Sequence, residues 1–132
     1  MERIYHINNS TITVKFGSII DSKADVIVSS DDYMLSMGGG VSATICRVGG
    51  DEIRNDARKK VPAILGDVIV TTAGKLPQKF IFHAITIDKE SLSKYNGDTI
   101  QKTSLQKSII HYSMKKIFRL LATMNIDTIA LP

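Results

Sequence analysis

A run of three glycines, Gly38, Gly39 and Gly40, lies directly before a segment with helical periodicity. Glycine lets the backbone approach a ligand closely, and the start of a helix offers unpaired N–H groups at the positive end of the helix dipole, so this arrangement suits a phosphate group. The run matches neither the G-x-x-x-x-G-K-[ST] pattern of ATP-binding loops nor the G-x-G-x-x-G pattern of dinucleotide folds. Because glycines before a helix also form simple turns, the residues alone leave a phosphate site and a turn both open.

Two adjacent acids, Asp31 and Asp32, lie earlier in the same segment, after the apolar run 26–28. One interpretation is a solvated turn in which a carboxylate caps backbone N–H groups, a role that suits aspartate. The other is that Asp32 contacts a ligand or acts as a base. The nearby side chains that could join such a site, or serve only the loop, are Ser29, Ser30, Tyr33, Met34 and Ser42.

The composition is that of an ordinary globular protein. The 132 residues suffice for one domain, with 43% hydrophobic and 23% charged residues and a net charge of +4. This charge suits a polyanionic ligand, but no dense basic run with interleaved aromatic residues indicates nucleic acid. Because the sequence shows neither a signal peptide nor an apolar run of the ~20 residues that a membrane span needs, a cytoplasmic protein without membrane contacts is expected.

Metal sites and disulfides are not expected, and neither is a cofactor. Cys46 is the single cysteine, and His6, His83 and His111 lie too far apart to show metal-ligand spacing. Cys46 is predicted to pack as a small hydrophobic residue. His83 is predicted to be a core histidine with satisfied hydrogen bonds, since it lies within an apolar strand pattern.

Hydrophobic periodicity predicts strands that alternate with helices. Predicted strands cover residues 3–7, 12–16, 26–28, 68–70, 80–86 and 126–131, and predicted helices cover residues 41–48, 51–60 and 99–124, with loops at residues 29–40 and 88–98. The strand at 12–16 is expected to be half buried, Asp51 is the predicted N-cap of the second helix, and the long helix is expected to bury one face from Leu105 through Tyr112 to Met124. The unbroken apolar run 26–28 indicates a strand with helices on both faces. The pattern predicts a three-layer α/β sandwich.

Several linked motifs resemble those of the macro domain family, in the family's order and along nearly the whole chain. The family pairs V-N-A-A-N with G-G-G-V, where this chain has V-S-S-D-D at residues 28–32 and G-G-G-V at residues 38–41. The family patterns G-x-x-x-x-T-x-G and L-P-x-K-Y-[IV]-[IF]-H resemble residues 66–74 and 76–83. The resemblance implies the macro-domain fold, a three-layer α/β/α arrangement with a mixed central sheet and with a ligand in a crevice at the strand ends.

The resemblance also implies roles for individual positions. Ser18 and Ile19 would face adenine, with serine in place of the family's aspartate and with backbone groups still available. Asp32 replaces the last asparagine of V-N-A-A-N, which lies near the distal ribose, and the catalytic aspartate of hydrolytic members, ten residues further on, is Ser42 here. Since serine is not a carboxylate base at neutral pH, that route of water activation is expected to be lost. The implied ligand-binding residues are Ser18, Ile19, Ser30, Asp32, Gly38, Gly39, Gly40, Val41 and Ser42.

The function that the resemblance implies is the binding of ADP-ribose or a related NAD-derived nucleotide. The alternatives are an ADP-ribosyl hydrolase or O-acyl-ADP-ribose deacylase, with Asp32 and Ser42 as the candidate catalytic residues, and a ligand-sensing module of a larger protein. An ADP-ribosylated protein, a second copy of the chain or a further domain are possible partners. In the family a second glycine-rich loop follows the strand that matches residues 129–131. The macro domain at residues 1–132 is therefore expected to be incomplete, and to bind ADP-ribose weakly until further polypeptide completes the site.

Overall fold

The structure, a computed structural model, describes residues 1–87 and 99–132. The predicted loop at residues 88–98 lies outside the described residues. In chain order the elements are β1 (Glu2–Ile7), β2 (Ser10–Lys15), a 3-10 turn (Ile19–Asp21), β3 (Val26–Asp32), α1 (Gly40–Gly49), α2 (Asp51–Arg58), β4 (Val68–Thr72), β5 (Phe80–Ile87), α3 (Thr99–Thr123) and β6 (Ile129–Ala130). The predicted alternation of strands and helices is confirmed.

A four-stranded sheet with the order β4-β5-β3-β6 forms the centre of the molecule. β3 pairs in parallel with both β5 and β6, whereas β4 pairs antiparallel with β5. The sheet is therefore mixed, as predicted. Val26, Ile27 and Val28 of β3 are at most 4% exposed, because β3 lies between two strands and is covered on both faces.

Two hydrophobic cores, one on each face of this sheet, make the fold a three-layer α/β/α sandwich. On one face Ile27 of β3 and Ile81 of β5 pack with Ile45 of α1 and Ile53 of α2. On the other face their chain neighbours, including Val28 and Phe82, pack with Ile117 of α3. Alternate residues of each strand thus serve opposite cores, as the pleat of a strand requires.

Some predicted boundaries were wrong. The loop expected from residue 29 begins only after Asp32, because β3 continues to pair with β5. Asp51 is not the N-cap of α2 but its first helical residue, and the cap position is occupied by Gly50. Gly50 has a φ of 89°, a backbone conformation that glycine adopts far more readily than aspartate. The predicted strand at 126–131 is reduced to the two residues of β6.

The strand predicted to be half buried is instead exposed. β1 and β2 form a separate antiparallel hairpin whose residues are all exposed. Its register pairs Tyr5 with Ile12, so Tyr5, Ile7, Ile12 and Val14 share one face of the hairpin, whereas Ile4 pairs with Thr13 on the other face. None of them belongs to either core. The alternating pattern therefore predicted the strand correctly, but its predicted half-buried state was wrong.

The long helix α3 buries a narrower face than predicted. Ile109 and Ile117 are 7% and 1% exposed, but Tyr112 is 67% exposed and lies outside the core. Tyr112 lies five residues before Ile117, or about 140° around the helix at 3.6 residues per turn, so both cannot face the sheet. Among the helices that the structure describes, none combines the length and the apolar content needed to cross a membrane.

Candidate functional site

Most of the predicted site residues lie at the carboxyl end of β3 and at the start of α1. β3 ends at Asp32, which pairs with Ile87 at the end of the parallel strand β5. Residues 33–39 then connect β3 to α1. In open α/β sheets, ligands bind in crevices outside the carboxyl ends of parallel strands, which is the location of this segment.

The start of α1 presents backbone N–H groups that the helix cannot satisfy. Gly39 is the N-cap residue, with an extended backbone at φ −159°. The N–H of Ala43 donates to the Gly39 carbonyl at 3.2 Å. The amides of Gly40, Val41 and Ser42 precede this bond and have no carbonyl four residues back within the helix. Since the first turn contains no acidic side chain, the positive end of the helix dipole is not neutralised locally.

Open space surrounds the three glycines. A Cβ atom added at Gly38, Gly39 or Gly40 would meet no described atom within 4 Å, apart from its chain neighbours and the helix backbone. Gly40 also has a φ of 58°, where any other residue would be strained. A ligand can therefore reach the peptide groups at the start of α1, and side chains at these positions would occupy the same space.

Ser42, the position of the catalytic aspartate in the family pattern, is turned onto the backbone. It is 6% exposed, and its hydroxyl donates to the Gly39 carbonyl at 3.0 Å. The neighbouring Val41 is half buried and packs against the core beneath α1. Both side chains thus fix the start of the helix.

The carboxylate of Asp32 closes the loop that follows β3. Its Oδ1 accepts the N–H groups of Met34 at 2.9 Å and of Ser36 at 3.3 Å, and its Oδ2 accepts the Ser36 hydroxyl. The turn-capping interpretation of Asp32 is therefore confirmed. A contact between this carboxylate and a ribose stays a prediction.

The loop after Asp32 is fixed to the core by two apolar side chains. Leu35 and Met37 are 5% and 1% exposed, and both have left-handed backbones, with φ of 49° and 50°. Such conformations persist in non-glycine residues only where the surroundings enforce them, and they are common at ligand sites. Tyr33 and Met34, which precede them in the loop, are 36% and 48% exposed, so either side chain can still cover a ligand.

The remaining predicted residues lie at the 3-10 turn and near the end of β3. Ser18 precedes the 3-10 turn, and its carbonyl accepts the N–H of Asp21 at 3.1 Å. Ile19 packs against the same core as Val41, so the turn and the start of α1 share one support. Ser30, near the end of β3, bonds through its hydroxyl to that of Thr86 on β5.

Cys46 and His83 are structural, as predicted. Cys46 is buried in α1, and its sulfur accepts the Arg54 Nε–H of α2 at 2.8 Å. That hydrogen bond is the main reason why the pKa of Arg54 is raised. His83 is 0% exposed and hydrogen-bonded at both ring nitrogens, to Asp31 and to Thr71. The buried role of Asp31 was not predicted, although the alternation of Ile27, Ser29 and Asp31 along β3 indicates that its side chain lies on the core face.

Comparison with known families and proteins supports this description. The family model for the macro domain matches residues 28–132. An uncharacterized protein of Aquifex aeolicus is 34% identical over 117 residues, which cover 89% of this chain and 69% of that protein.

Solved macrodomains share the fold. The Oceanobacillus iheyensis macrodomain with ADP gives a TM-score of 0.78 at 24% identity, covering 100% of this chain and 68% of that one. The Trypanosoma brucei macrodomain in complex with ADP-ribose gives 0.68 at 18% identity, covering 87% of this chain and 43% of that one. A glycine-to-valine variant of the Oceanobacillus iheyensis protein was solved with ADPR. This chain spans about two thirds of the Oceanobacillus iheyensis domain and under half of the Trypanosoma brucei chain.

We expect Gly40→Ala to destabilise the fold by about 1–2 kcal/mol, because alanine is strained in the left-handed backbone conformation of Gly40. Gly38→Ala is the matched control, since its added methyl group also meets open space but its φ is not in the left-handed region. It should change the free energy of unfolding by less than about 0.5 kcal/mol. Urea denaturation followed by circular dichroism measures both, and equal losses would contradict the assigned backbone of the loop.

Proposed function

The chain belongs to the macro domain family, and we propose that it binds ADP-ribose, or a closely related NAD-derived nucleotide, at the start of α1. The observation that carries the proposal is the run of three glycines that meets open space where α1 begins. Two solved relatives, a macrodomain with ADP and another in complex with ADP-ribose, support the choice of ligand.

The diphosphate is proposed to lie against the amides of Gly40, Val41 and Ser42. Helix N-termini bind anions through unpaired N–H groups and the helix dipole together. Donors that are already fixed lose little conformational freedom when the ligand binds. Asp32 is the nearest acid in sequence, and both of its carboxylate oxygens already accept hydrogen bonds from its own loop. These bonds disperse the negative charge that would otherwise repel a phosphate.

The adenosine and the distal ribose are proposed to lie on either side of the amides that bind the diphosphate. Adenine would face the backbone of Ser18 and Ile19, which rests on the same core as the start of α1. The distal ribose would lie near Ser30 and Asp32, at the end of β3. Since Ser18 lacks a carboxylate, the preference for adenine would depend on main-chain groups.

We further propose that binding occurs without efficient hydrolysis. General-base catalysis needs a group that accepts a proton at neutral pH, and serine does not. The Ser42 hydroxyl also donates to the Gly39 carbonyl, so it is engaged in the helix cap. An ADP-ribosyl hydrolase or deacylase would therefore need a different base, for which Asp32 is the candidate.

Several wider aspects of the function stay predictions. They are recognition of an ADP-ribosylated protein and a cytoplasmic location. Association with a second copy of the chain is also a prediction, supported by the exposed apolar face of the β1–β2 hairpin. Sedimentation equilibrium of wild-type chain and of Ile12→Lys would test it.

We expect Gly39→Glu to weaken ADP-ribose binding by about tenfold or more, because its side chain fills the open space and adds a negative charge next to the diphosphate. A charged side chain is the sharper choice, since a valine variant of the Oceanobacillus iheyensis macrodomain was solved with ADPR. The extended backbone of Gly39 accommodates the substitution.

Val48→Glu, which adds the same charge at a 39%-exposed position near the other end of α1, is the control. Isothermal titration calorimetry should show wild-type affinity for it. Equal affinities of Gly39→Glu and wild type would place the ligand elsewhere.

We expect the unaltered chain to release little or no ADP-ribose from a mono-ADP-ribosylated protein, and Ser42→Asp to increase release, because it restores a carboxylate base. Ser42→Ala is the control and should remain inactive. Released ADP-ribose is measured by chromatography. Robust release by the unaltered chain that persists in Asp32→Ala would contradict the proposed loss of hydrolysis.

A further inference from the structure

A row of three hydrogen-bonded, buried polar side chains crosses the sheet next to the carboxyl end of β3. Nδ1 of His83 on β5 lies 2.7 Å from Oδ2 of Asp31 on β3, and its Nε2 lies 2.7 Å from Oγ1 of Thr71 on β4. All three residues are at most 2% exposed. Because β4, β5 and β3 are neighbours in the sheet, these hydrogen bonds connect three strands through their side chains.

The three side chains lie on the face covered by α1 and α2. Alternate residues of a strand share a face, so Asp31 lies on the same side as Ile27, and His83 on the same side as Ile81 and Ile85. All three isoleucines belong to the core beneath α1. A carboxylate in such a core is costly unless it is paired. Since an ionised carboxylate can only accept hydrogen bonds, the Nδ1–H group of His83 is the donor in its hydrogen bond to Asp31.

A catalytic role for these three side chains does not fit their burial. The order of hydroxyl, imidazole and carboxylate is the order found in hydrolase triads. However, Thr71 is 1% exposed, so no substrate carbonyl or phosphate can reach its hydroxyl. The role of the three side chains must therefore lie in the part of the structure that they hold in place.

What they hold is the end of β3. Asp31 pairs with Ile85 of β5, whereas Asp32 pairs with Ile87, so β5 has one extra residue, Thr86, at this point. Such a bulge changes the direction of the side chains beside it, and bulges are common next to functional sites. Asp31 is thus the last regular position before Asp32, whose carboxylate begins the loop that leads to the glycines.

We propose that Asp31 is a positioning residue for the nucleotide site. Through its hydrogen bond to His83 it fixes the end of β3, and with it the loop that Asp32 closes before Gly38. This inference rests on the proposed ADP-ribose function. The family pattern V-N-A-A-N has alanine at this position, so the buried carboxylate is a departure of this chain from that pattern.

Asp31→Ala and Asp31→Asn separate positioning from burial. The asparagine side-chain carbonyl can still accept a hydrogen bond from the Nδ1–H group of His83, whereas alanine leaves that N–H unpaired. We expect Asp31→Ala to weaken ADP-ribose binding about tenfold and Asp31→Asn to bind within about threefold of wild type. Ile53→Val in α2, which also loosens this core, should bind as wild type does.

A second readout needs no ligand. The amides of Met34 and Ser36 donate to Asp32, so hydrogen exchange at these amides reports the order of the loop. We expect exchange about tenfold faster in Asp31→Ala, and unchanged exchange in Asp31→Asn and in Ile53→Val. The His83 Nδ1–H proton resonance should be lost or shifted only in the Asp31 variants.

The double variant Asp31→Ala with His83→Phe removes both partners, and the buried Thr71 hydroxyl keeps its hydrogen bond to the Thr72 carbonyl at 3.2 Å. No buried polar group is left unpaired, so this variant recovers stability if Asp31→Ala alone does not fold. We expect fast loop exchange to persist in it. Wild-type exchange in this double variant, or wild-type affinity and exchange in Asp31→Ala, would overturn the positioning role. A wild-type chain without ADP-ribose affinity would instead refute the proposed function, and the exchange data would still decide the role of Asp31.

Discussion

The proposed site depends on peptide groups at the start of α1 that the helix itself cannot satisfy. Three amides must remain without intrahelical partners, yet they must be held still enough to act together on one ligand. The glycines keep the space in front of them open. The rigidity comes from the chain just before them, where Leu35 and Met37 are buried in left-handed conformations and Asp32 closes the turn. The accessible amides at the start of α1 therefore follow a loop whose position is fixed by buried side chains and by hydrogen bonds.

The same strand supports both the fold and the site. β3 contributes Val26 and Val28 to one core and Ile27 to the other, and its final residues lead directly into the loop. The buried contacts among Asp31, His83 and Thr71 extend this support across three strands. Since unpaired polar groups in such a core are costly, the loop can change its position only by disturbing several strands. A rigid framework with functional groups at its strand ends is the general design of α/β ligand sites.

The sequence predicted the features that depend on local patterns. The apolar run 26–28 indicated a strand covered on both faces, and the glycines indicated where α1 starts. Burial that depends on distant partners could not be predicted in this way. Ile12 alternates with polar residues as a half-buried strand residue would, yet it is 48% exposed because its hairpin joins neither core. Asp31 and Asp32 are adjacent and chemically identical. Only the pairing of β3 with β5 brings Asp31 to His83, 52 residues away, while Asp32 turns to its own loop.

The central claim is that the amides at the start of α1 bind the phosphates of ADP-ribose, and amide chemical shifts measure this contact directly. We expect ADP-ribose, titrated into ¹⁵N-labelled protein, to cause the largest shift changes at Gly39, Gly40, Val41 and Ser42. Smaller changes are expected at Ser18 and Ile19, and none in the β1–β2 hairpin. Saturable changes that leave the amides of residues 38–42 unaffected, or no changes up to millimolar ligand, would contradict the account.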